Sequence, residues 1–155
     1  MRIISHRGNL DGSNIYLENS TNYILRAIEL GFDVEIDLWY ENNKFYLGHD
    51  LPQYEIDIEW IISLKNNLWV HCKNVSCMDK LYDTDINYFW HDKDLTTITS
   101  KGYFWSQPDI FLKNGVTVNV DYKEITEDIF GICSDYVVKF KNYYNKNNKE
   151  INVKI

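Results

Sequence analysis

Eight short runs of β-branched and aromatic residues are spread along this chain of 155 residues. Such residues favour strands, and each run is bounded by residues that favour turns. Dividing 155 residues by eight leaves about 19 for each strand and the segment that connects it to the next strand. This is too few for a full-length helix after every strand. The runs are Arg2–Ser5, Asp33–Trp39, Phe45–Gly48, Leu68–Cys72, Tyr88–Trp90, Tyr103–Trp105, Val116–Val120 and Ile132–Val137.

Two of the segments that connect these runs have apolar residues at the spacing of a helix. After Asn19-Ser20, which offer capping oxygens, apolar residues recur at helical spacing until Gly31. From Asp57 a second apolar stripe runs to Asn66-Asn67. Shorter helical turns are predicted at Ser76–Tyr82 and Thr126–Phe130.

The order of strands and helices predicts a mainly parallel α/β sheet, and eight strands favour its closure into a barrel. An ordinary barrel of this kind has about 250 residues. We therefore expect a shortened TIM-type (β/α)8 barrel with several outer helices short or missing, mostly in the C-terminal half. We expect one domain over residues 1–155, in which residues 139–155, rich in lysine and asparagine, form a C-terminal helix or tail.

Charge and composition exclude several classes of protein. Lys+Arg 16 against Asp+Glu 23 gives a net charge of −7, which argues against nucleic acid as a partner. No stretch approaches 18 consecutive apolar residues, and the first residues lack the apolar core of a signal peptide, so neither a membrane span nor secretion is expected. The three cysteines form no Cys-x-x-Cys motif, which suits a reducing cytoplasm. A sheet with few covering helices would also suit a homo-oligomer.

Four histidines fall at or near the C-terminal ends of predicted strands. They are His6, His49, His71 and His91. In parallel α/β folds, ligands and catalytic groups gather at this edge of the sheet. A single histidine at a strand end is more often a structural residue, whereas four at one edge indicate a functional site.

Two carboxylates alternate along the second predicted strand. Glu35 and Asp37 share one face, whereas the apolar residues between them share the other. If the apolar face is covered by helices, the carboxylates point inward, where two close negative charges need a cation. The other interpretation is an exposed strand with its polar face in solvent. Lys73 shares a face with His71 and is either an inward partner for such anions or a surface lysine beyond the strand.

These residues belong to a longer ordered series of motifs. The series is Ser5-His6-Arg7-Gly8, Glu18-Asn19-Ser20, Ala27-x-x-x-Gly31, Glu35-x-Asp37 and Gly48-His49-Asp50. In order and spacing it resembles the N-terminal signature of glycerophosphodiester phosphodiesterases, over Arg2–Asp50 and more thinly afterwards. Sphingomyelinase-D-like and phosphatidylinositol-specific phospholipases share that family's barrel and paired histidines. The resemblance implies metal-assisted hydrolysis of a small-molecule phosphodiester, commonly through attack by the substrate's own neighbouring hydroxyl and a cyclic phosphate.

The resemblance also implies roles for individual residues. His6 and His49 match the general acid/base pair, which fits the titration of imidazole near neutral pH. Arg7 and Lys73 match groups that bind phosphate oxygens. The remaining matches are Glu35 and Asp37 as metal ligands, and Glu18 as the glutamate of a motif in which Ser20 replaces threonine.

Two positions depart from the family pattern. His71 stands where the family usually has a third carboxylate ligand. The cofactor implied is a divalent metal, Mg²⁺, Ca²⁺ or Mn²⁺, and His71 as a third ligand would suit a softer ion better. Leu51–Ile56 is a short connector where the family often carries an insertion that roofs the substrate pocket.

Three further residues are weaker candidates for the pocket: His91, Trp105 and Asp121. An aromatic core strand with a polar tip would equally explain His91, and buried packing is the usual role of tryptophan. Two other functions stay open. One is a catalytically inactive phosphate-binding module, and the other is a zinc hydrolase that uses several of the four histidines.

Overall fold

Short strands dominate the architecture of this chain. A computed structural model describes residues 1–119, 121–123, 125 and 128–147. The strands are β1 (Arg2–His6), β2 (Asp33–Glu41), β3 (Lys44–Leu47), β4 (Tyr54–Ile56), β5 (Leu68–Cys72), β6 (Tyr88–Phe89), β7 (Thr96–Ile98), β8 (Phe104–Ser106), β9 (Gly115–Val118) and β10 (Gly131–Ser134). The helices are α1 (Thr21–Glu29), α2 (Ile58–Ser63), α3 (Val75–Leu81) and α4 (Val137–Lys146).

Each of the eight predicted β-rich runs overlaps a strand, so this part of the prediction is confirmed. The predicted helices after Ser20 and Asp57 and the turn at Ser76–Tyr82 are confirmed as α1, α2 and α3. Helix α4 occupies the first part of the predicted C-terminal segment. Three predictions lie partly outside the described residues: the run Val116–Val120 at its last residue, the helical turn Thr126–Phe130 at residues 126–127, and the C-terminal segment at residues 148–155. The described part of that turn, residues 128–130, is not helical.

The strands form one mixed sheet. Seven of them run parallel in the order β6-β5-β2-β1-β10-β9-β8. At the edges, β3 pairs antiparallel with β2, β4 antiparallel with β3, and β7 antiparallel with β8. The sheet curls into a half-barrel. Near its two ends, the amide of Ser100 donates a hydrogen bond of 2.8 Å to the carbonyl of Tyr88. The C-terminal ends of the parallel strands therefore surround a common space.

The predicted shortened TIM-type (β/α)8 barrel is wrong. Strands β2 and β3 are joined by Asn42 and Asn43, which adopt φ of 50° and 61°. Two successive residues with positive φ form the tight turn that joins antiparallel strands, so β3 cannot be a parallel barrel strand. Two short strands, β4 and β7, were also missed, and both pair antiparallel. Between α3 and α4 the described residues form no helix, so strands and helices do not alternate regularly.

The outer face of the sheet carries the larger hydrophobic core. Ile36 and Leu38 of β2 pack there with Ile24 of α1 and Phe140 of α4, and all four are fully or almost fully buried. Residues of opposite parity along each strand point to the inner face. This alternation leaves β2 with apolar groups outside and carboxylates inside.

The inner face carries two layers of side chains. Six buried residues, which we name the apolar layer, fill its lower part; they are Ile4, Trp69, Phe89, Trp105, Val116 and Cys133. Two residues further along the strands the chemistry changes. The polar layer, as we name it, comprises His6, Glu35, Asp37, His71, His91, Gln107 and Asp135. The polar layer lies at the C-terminal ends of the parallel strands.

Candidate active site

A cavity of about 200 Å³ opens above the polar layer. Seven of the predicted site residues line it: His6, Arg7, Glu35, His49, His71, His91 and Trp105. Gln107 and Val118, which were not predicted, complete its wall. The structure therefore brings together side chains that are up to 112 positions apart in the sequence, from His6 to Val118.

His6 is the last residue of β1, and a carboxylate fixes its ring. Its Nδ1 lies 2.8 Å from Oδ1 of Asp135, and its Nε2 lies 3.9 Å from Oε2 of Glu35. Because a carboxylate only accepts hydrogen bonds, Nδ1 carries the hydrogen and Nε2 is left to exchange a proton. Burial alone would lower the pKa of His6, but the bond to Asp135 and the charge of Glu35 outweigh it, and the pKa is raised.

Asp135 was not among the predicted site residues. It follows β10 directly and also accepts a hydrogen bond of 2.8 Å from Nδ2 of Asn9. The sequence contained one signal for it, since it occupies a strand end as the four histidines do. Its pairing with His6 spans 129 positions and depends on β1 lying beside β10.

Asp37 is fully buried and surrounded by donors. Asn19 donates to its Oδ2 at 2.9 Å, and Nε of Arg7 lies 3.0 Å from the same oxygen. Oδ1 lies 3.1 Å from Nδ1 of His71 and 3.3 Å from Nζ of Lys73. Burial would raise the pKa of Asp37, but the His71 hydrogen bond and the charges of Arg7 and Lys73 hold it well below its usual range. This carboxylate is ionised, and Arg7, His71 and Lys73 already balance its negative charge.

Glu35 has the opposite environment. Only 3% of it is exposed, and among the described residues its Oε2 has no hydrogen-bond partner. Its Oε1 lies 3.9 Å from Nδ1 of His71, beyond hydrogen-bonding distance. Burial and the neighbouring charge of Asp37 raise the pKa of Glu35. A buried carboxylate oxygen without a partner is costly unless a cation or a proton joins it.

Glu35, Asp37 and His71 could together hold a metal ion. One ligand atom from each lies within 4.8 Å of the others, and in the part of the chain that the structure describes no second group of this kind occurs. Two carboxylate oxygens and one imidazole nitrogen suit Mn²⁺ or a softer ion better than Ca²⁺. The unpartnered oxygen of Glu35 is the observation that fits a cation here.

Arg7 is held in place by Glu18. Its backbone adopts φ of 55°, and its Nη1 donates to Oε2 of Glu18 at 3.1 Å. Ser13 and Asn9 donate to the other oxygen of Glu18 at 2.6 and 2.9 Å. These hydrogen bonds outweigh burial and lower the pKa of Glu18. Glu18 therefore holds the guanidinium group of Arg7 in position. Glu18 itself does not line the cavity of the histidines.

His49 lies on the turn after β3 and is 41% exposed. The preceding Gly48 has φ of 148°, and a Cβ there would lie 2.1 Å from the carbonyl of Leu51, so only glycine fits this turn. Nδ1 of His49 lies 2.7 Å from Oδ1 of Asp50. Partial burial, together with the charge of Arg7, lowers the pKa of His49.

His71 and His91 stack face to face in the wall of the cavity. Their ring centroids are 4.7 Å apart, and the ring of Phe89 lies 5.1 Å from that of His71 and 6.1 Å from that of His91, so both rings pack on the same side of His71. Burial, with the neighbouring His71 and Lys73, lowers the pKa of His91 to about 4. His91 is therefore neutral at physiological pH and contributes a flat, partly apolar surface.

Of the two remaining predicted pocket residues, Trp105 lines the cavity and Asp121 does not. Trp105 lines the floor of the cavity, where it stacks on Phe89 at 4.4 Å as part of the apolar layer. Asp121 is exposed and is not part of the cavity wall. The prediction that Asp121 contributes to the pocket is therefore not supported by its position.

Comparison of the chain with protein-family models, with curated proteins and with solved structures gives no significant match. Within the described residues, the longest helix, α4, has 10 residues, and none of the helices could cross a bilayer.

Proposed function

We propose that this protein is a metal-assisted phosphodiesterase in which His6 and His49 transfer protons. One observation carries the proposal. A single cavity brings His6, backed by a buried carboxylate, together with Arg7, His49 and the unpartnered oxygen of Glu35. A general acid, a phosphate-binding cation, a general base and a cation ligand are the groups that this reaction requires.

The surroundings of the two histidines support different roles. Asp135 stabilises a protonated ring of His6, whose Nε2 can give its proton to the departing alkoxide. His49 is half-exposed and has no buried carboxylate against it, so its neutral ring is suited to accept the proton of the attacking hydroxyl. Attack forms one P–O bond as the bond to the leaving alkoxide breaks. When the attacking hydroxyl belongs to the substrate, water later opens the cyclic phosphate.

Charge on the phosphoryl oxygens would be compensated by groups already in place. Glu18 and Asp37 contact two of the three guanidinium nitrogens of Arg7, so Nη2 remains to bind a phosphoryl oxygen. Lys73, held at 3.3 Å from Asp37, supplies a second cation. A divalent ion held by Glu35, Asp37 and His71 would supply Lewis-acid stabilisation of the same charge.

A second candidate function is a phosphate-binding module without turnover. It is favoured by the compensation of Asp37, because Arg7, His71 and Lys73 neutralise this carboxylate without any metal. Such a pocket would bind a phosphate group through Arg7 and Lys73 and would not require proton transfer. Keeping two histidines with different surroundings in the wall favours the enzyme.

The test is turnover of a chromogenic phosphodiester with Mg²⁺, Mn²⁺, Ca²⁺ or a chelator. We expect Mn²⁺ to give the highest rate, and His6→Ala and Glu35→Ala each to lose at least about a hundredfold in kcat. Glu41→Ala, on the exposed end of the same strand as Glu35, is the matched control and should keep full activity. Unchanged activity in His6→Ala would refute the catalytic role. Metal and phosphate binding without turnover of any diester would establish the binding module instead.

A further inference from the structure

A tight turn follows β1 and brings Asn9 back beside His6. Arg7 and Gly8 in this turn adopt φ of 55° and 89°, and the amide of Asn9 donates to the carbonyl of His6 at 2.9 Å. The hydroxyl of Ser5 donates to the carbonyl of Asn9 at 2.7 Å. Both backbone polar groups of Asn9 are therefore held by hydrogen bonds that do not involve its side chain, and the residue is fully buried.

The side-chain amide of Asn9 has one orientation that satisfies its neighbours. Its Oδ1 accepts from the backbone amide of Asn14 at 3.1 Å, a group that can only donate. Its Nδ2 donates to Oε1 of Glu18 at 2.9 Å and to Oδ1 of Asp135 at 2.8 Å. Both acceptors are buried carboxylates, and an amide nitrogen has only two hydrogens to give. The donor capacity of Asn9 is therefore fully used between two acidic side chains.

Each of these carboxylates holds one group of the cavity wall. Asp135 lies 2.8 Å from Nδ1 of His6, and Glu18 accepts from Nη1 of Arg7 at 3.1 Å. His6 and Arg7 are consecutive in the sequence, so the contacts from His6 through Asp135, Asn9 and Glu18 to Arg7 form a closed circuit. The groups to which we assign proton transfer and phosphate binding are thus connected through one buried amide.

The two carboxylates depend on Asn9 to different degrees. Ser13 donates to the same oxygen of Glu18 at 2.6 Å, so this carboxylate has a second donor on the loop. Among the described residues, the side chain of Asp135 is bonded only by His6 and Asn9. Removing a donor from a buried acceptor leaves that acceptor unpaired, which is costly. Loss of the Asn9 amide should therefore disturb Asp135, and through it His6, more than Glu18.

We propose that Asn9 is a positioning residue for the reaction, whose single buried amide orients His6 and Arg7 as one unit. Asn9 does not line the cavity, so it acts only through Asp135 and Glu18. This inference rests on the proposed phosphodiesterase activity. It adds a coupling between the acid and the phosphate-binding arginine that the separate contacts of each do not require.

The experiment examines Asn9→Ala with two probes, a chromogenic phosphodiester for kcat and inorganic phosphate for binding by calorimetry. We expect kcat to fall about tenfold, less than the roughly hundredfold that a general acid supplies. The Kd of phosphate should rise about threefold, because Ser13 still holds Glu18. In the Asp135→Asn background, Asn9→Ala should lower kcat by less than about twofold, since the group through which it acts is already altered. A merely structural role would give the same loss in both backgrounds.

Asn22→Ala, the same change on the exposed side of α1, is the matched control and should alter neither kcat nor the Kd of phosphate. If Asn9→Ala does not fold, Asn9→Ser, which keeps one hydroxyl donor, takes its place in the same comparison. Equal losses of kcat in the two backgrounds, unchanged kcat or phosphate binding, or failure of both Asn9 variants to fold would overturn the inference.

A wild type that hydrolyses no diester would refute the proposed function. Weaker phosphate binding by Asn9→Ala would then still support the link from Asn9 to Arg7, whereas unchanged binding would overturn that link as well.

Discussion

The two layers on the inner face of the sheet have opposite chemistry although the same strands build them. Only two positions separate Ile4 from His6, and Trp69 from His71. The lower layer is buried, and three of its six side chains are aromatic, as is common in the core of a globular domain. The upper layer holds buried carboxylates, one of them with an unpartnered oxygen. The comparison indicates that the lower layer stabilises the sheet, whereas the upper layer uses part of that stability to keep reactive groups in place.

The largest effect should follow from breaking the apolar layer. Trp69 is 5% exposed, and its ring packs on Tyr103, Trp105 and Phe130 with centroids 5.3 to 6.1 Å apart. We expect Trp69→Ala to lower the free energy of unfolding by about 3–5 kcal/mol, because the cavity it leaves cannot be refilled. Urea denaturation measures this.

Tyr82→Ala is the control for the loss of an aromatic ring, since Tyr82 is 75% exposed. Its free energy of unfolding should change by less than about 0.5 kcal/mol. A loss below about 1 kcal/mol in Trp69→Ala would contradict the structural role of the apolar layer.

The next largest effect should follow from a substitution of Asp135 in the polar layer. This substitution should lower the catalytic activity more than the free energy of unfolding. Asp135→Asn keeps the shape beside His6 but removes the charge that raises its pKa. If His6 acts as the acid, kcat should fall about a hundredfold with little change in KM. The alkaline limb of the pH profile should also move to lower pH, because the pKa of His6 falls in the variant.

Asp79→Asn, the same change on the exposed side of α3, should alter neither kcat nor the pH profile. An unmoved alkaline limb in Asp135→Asn would show that Asp135 does not act through His6.

His91 should make the polar layer sensitive to acid. Its pKa is lowered to about 4, so the folded state binds a proton less readily than the unfolded state, whose histidine titrates near 6.5. Protonation of His91 therefore favours the unfolded state, and the free energy of unfolding decreases progressively as the pH falls from about 6.5 to 4. Allowing for partial solvent screening, we expect His91→Phe to reduce this loss by about 1–2 kcal/mol.

Phenylalanine retains the stacking on His71, so the comparison isolates the charge. Unfolding curves at pH 7.0 and 4.5 measure the difference between wild type and variant. Parallel losses of stability in both proteins would contradict the assignment to His91.

Much of the local structure could be predicted because it depends on neighbouring residues. The alternation in Val34–Leu38 placed Glu35 and Asp37 on one face, and the apolar periodicity placed α1 and α2. Ser20 and Asp57 do precede these helices, but neither side chain accepts a capping hydrogen bond. Periodicity and alternation are set within a few residues of the chain, where side-chain direction has few alternatives.

The topology was predicted less well because it depends on turns and long-range pairing. Asn42-Asn43 carried the signal of a tight antiparallel turn, which a count of β-rich runs ignores. Strands β4 and β7 have three residues each, too few to establish an alternation. Asp135 and Gln107 reach the site only because β1, β8, β9 and β10 lie in one sheet, and no short-range pattern encodes that order.

The smallest change tests the central claim, that the polar layer is a functional site maintained at a cost in stability. Glu35 is disfavoured as an anion by burial and by Asp37, which raise its pKa, so its contribution to stability falls as the pH rises above the pKa of the unfolded chain. Glu35→Gln replaces the charged form by a neutral one of the same shape. Glu41→Gln, at the exposed end of β2, is the control.

The measurement is the free energy of unfolding of these proteins at pH 7.5, with chelator and with Mn²⁺. We predict that Glu35→Gln is more stable than the wild type in chelator, by about 1 kcal/mol, and that Mn²⁺ stabilises only the wild type and Glu41→Gln. A Glu35→Gln protein that is less stable than the wild type in chelator, and that responds equally to Mn²⁺, would contradict the account.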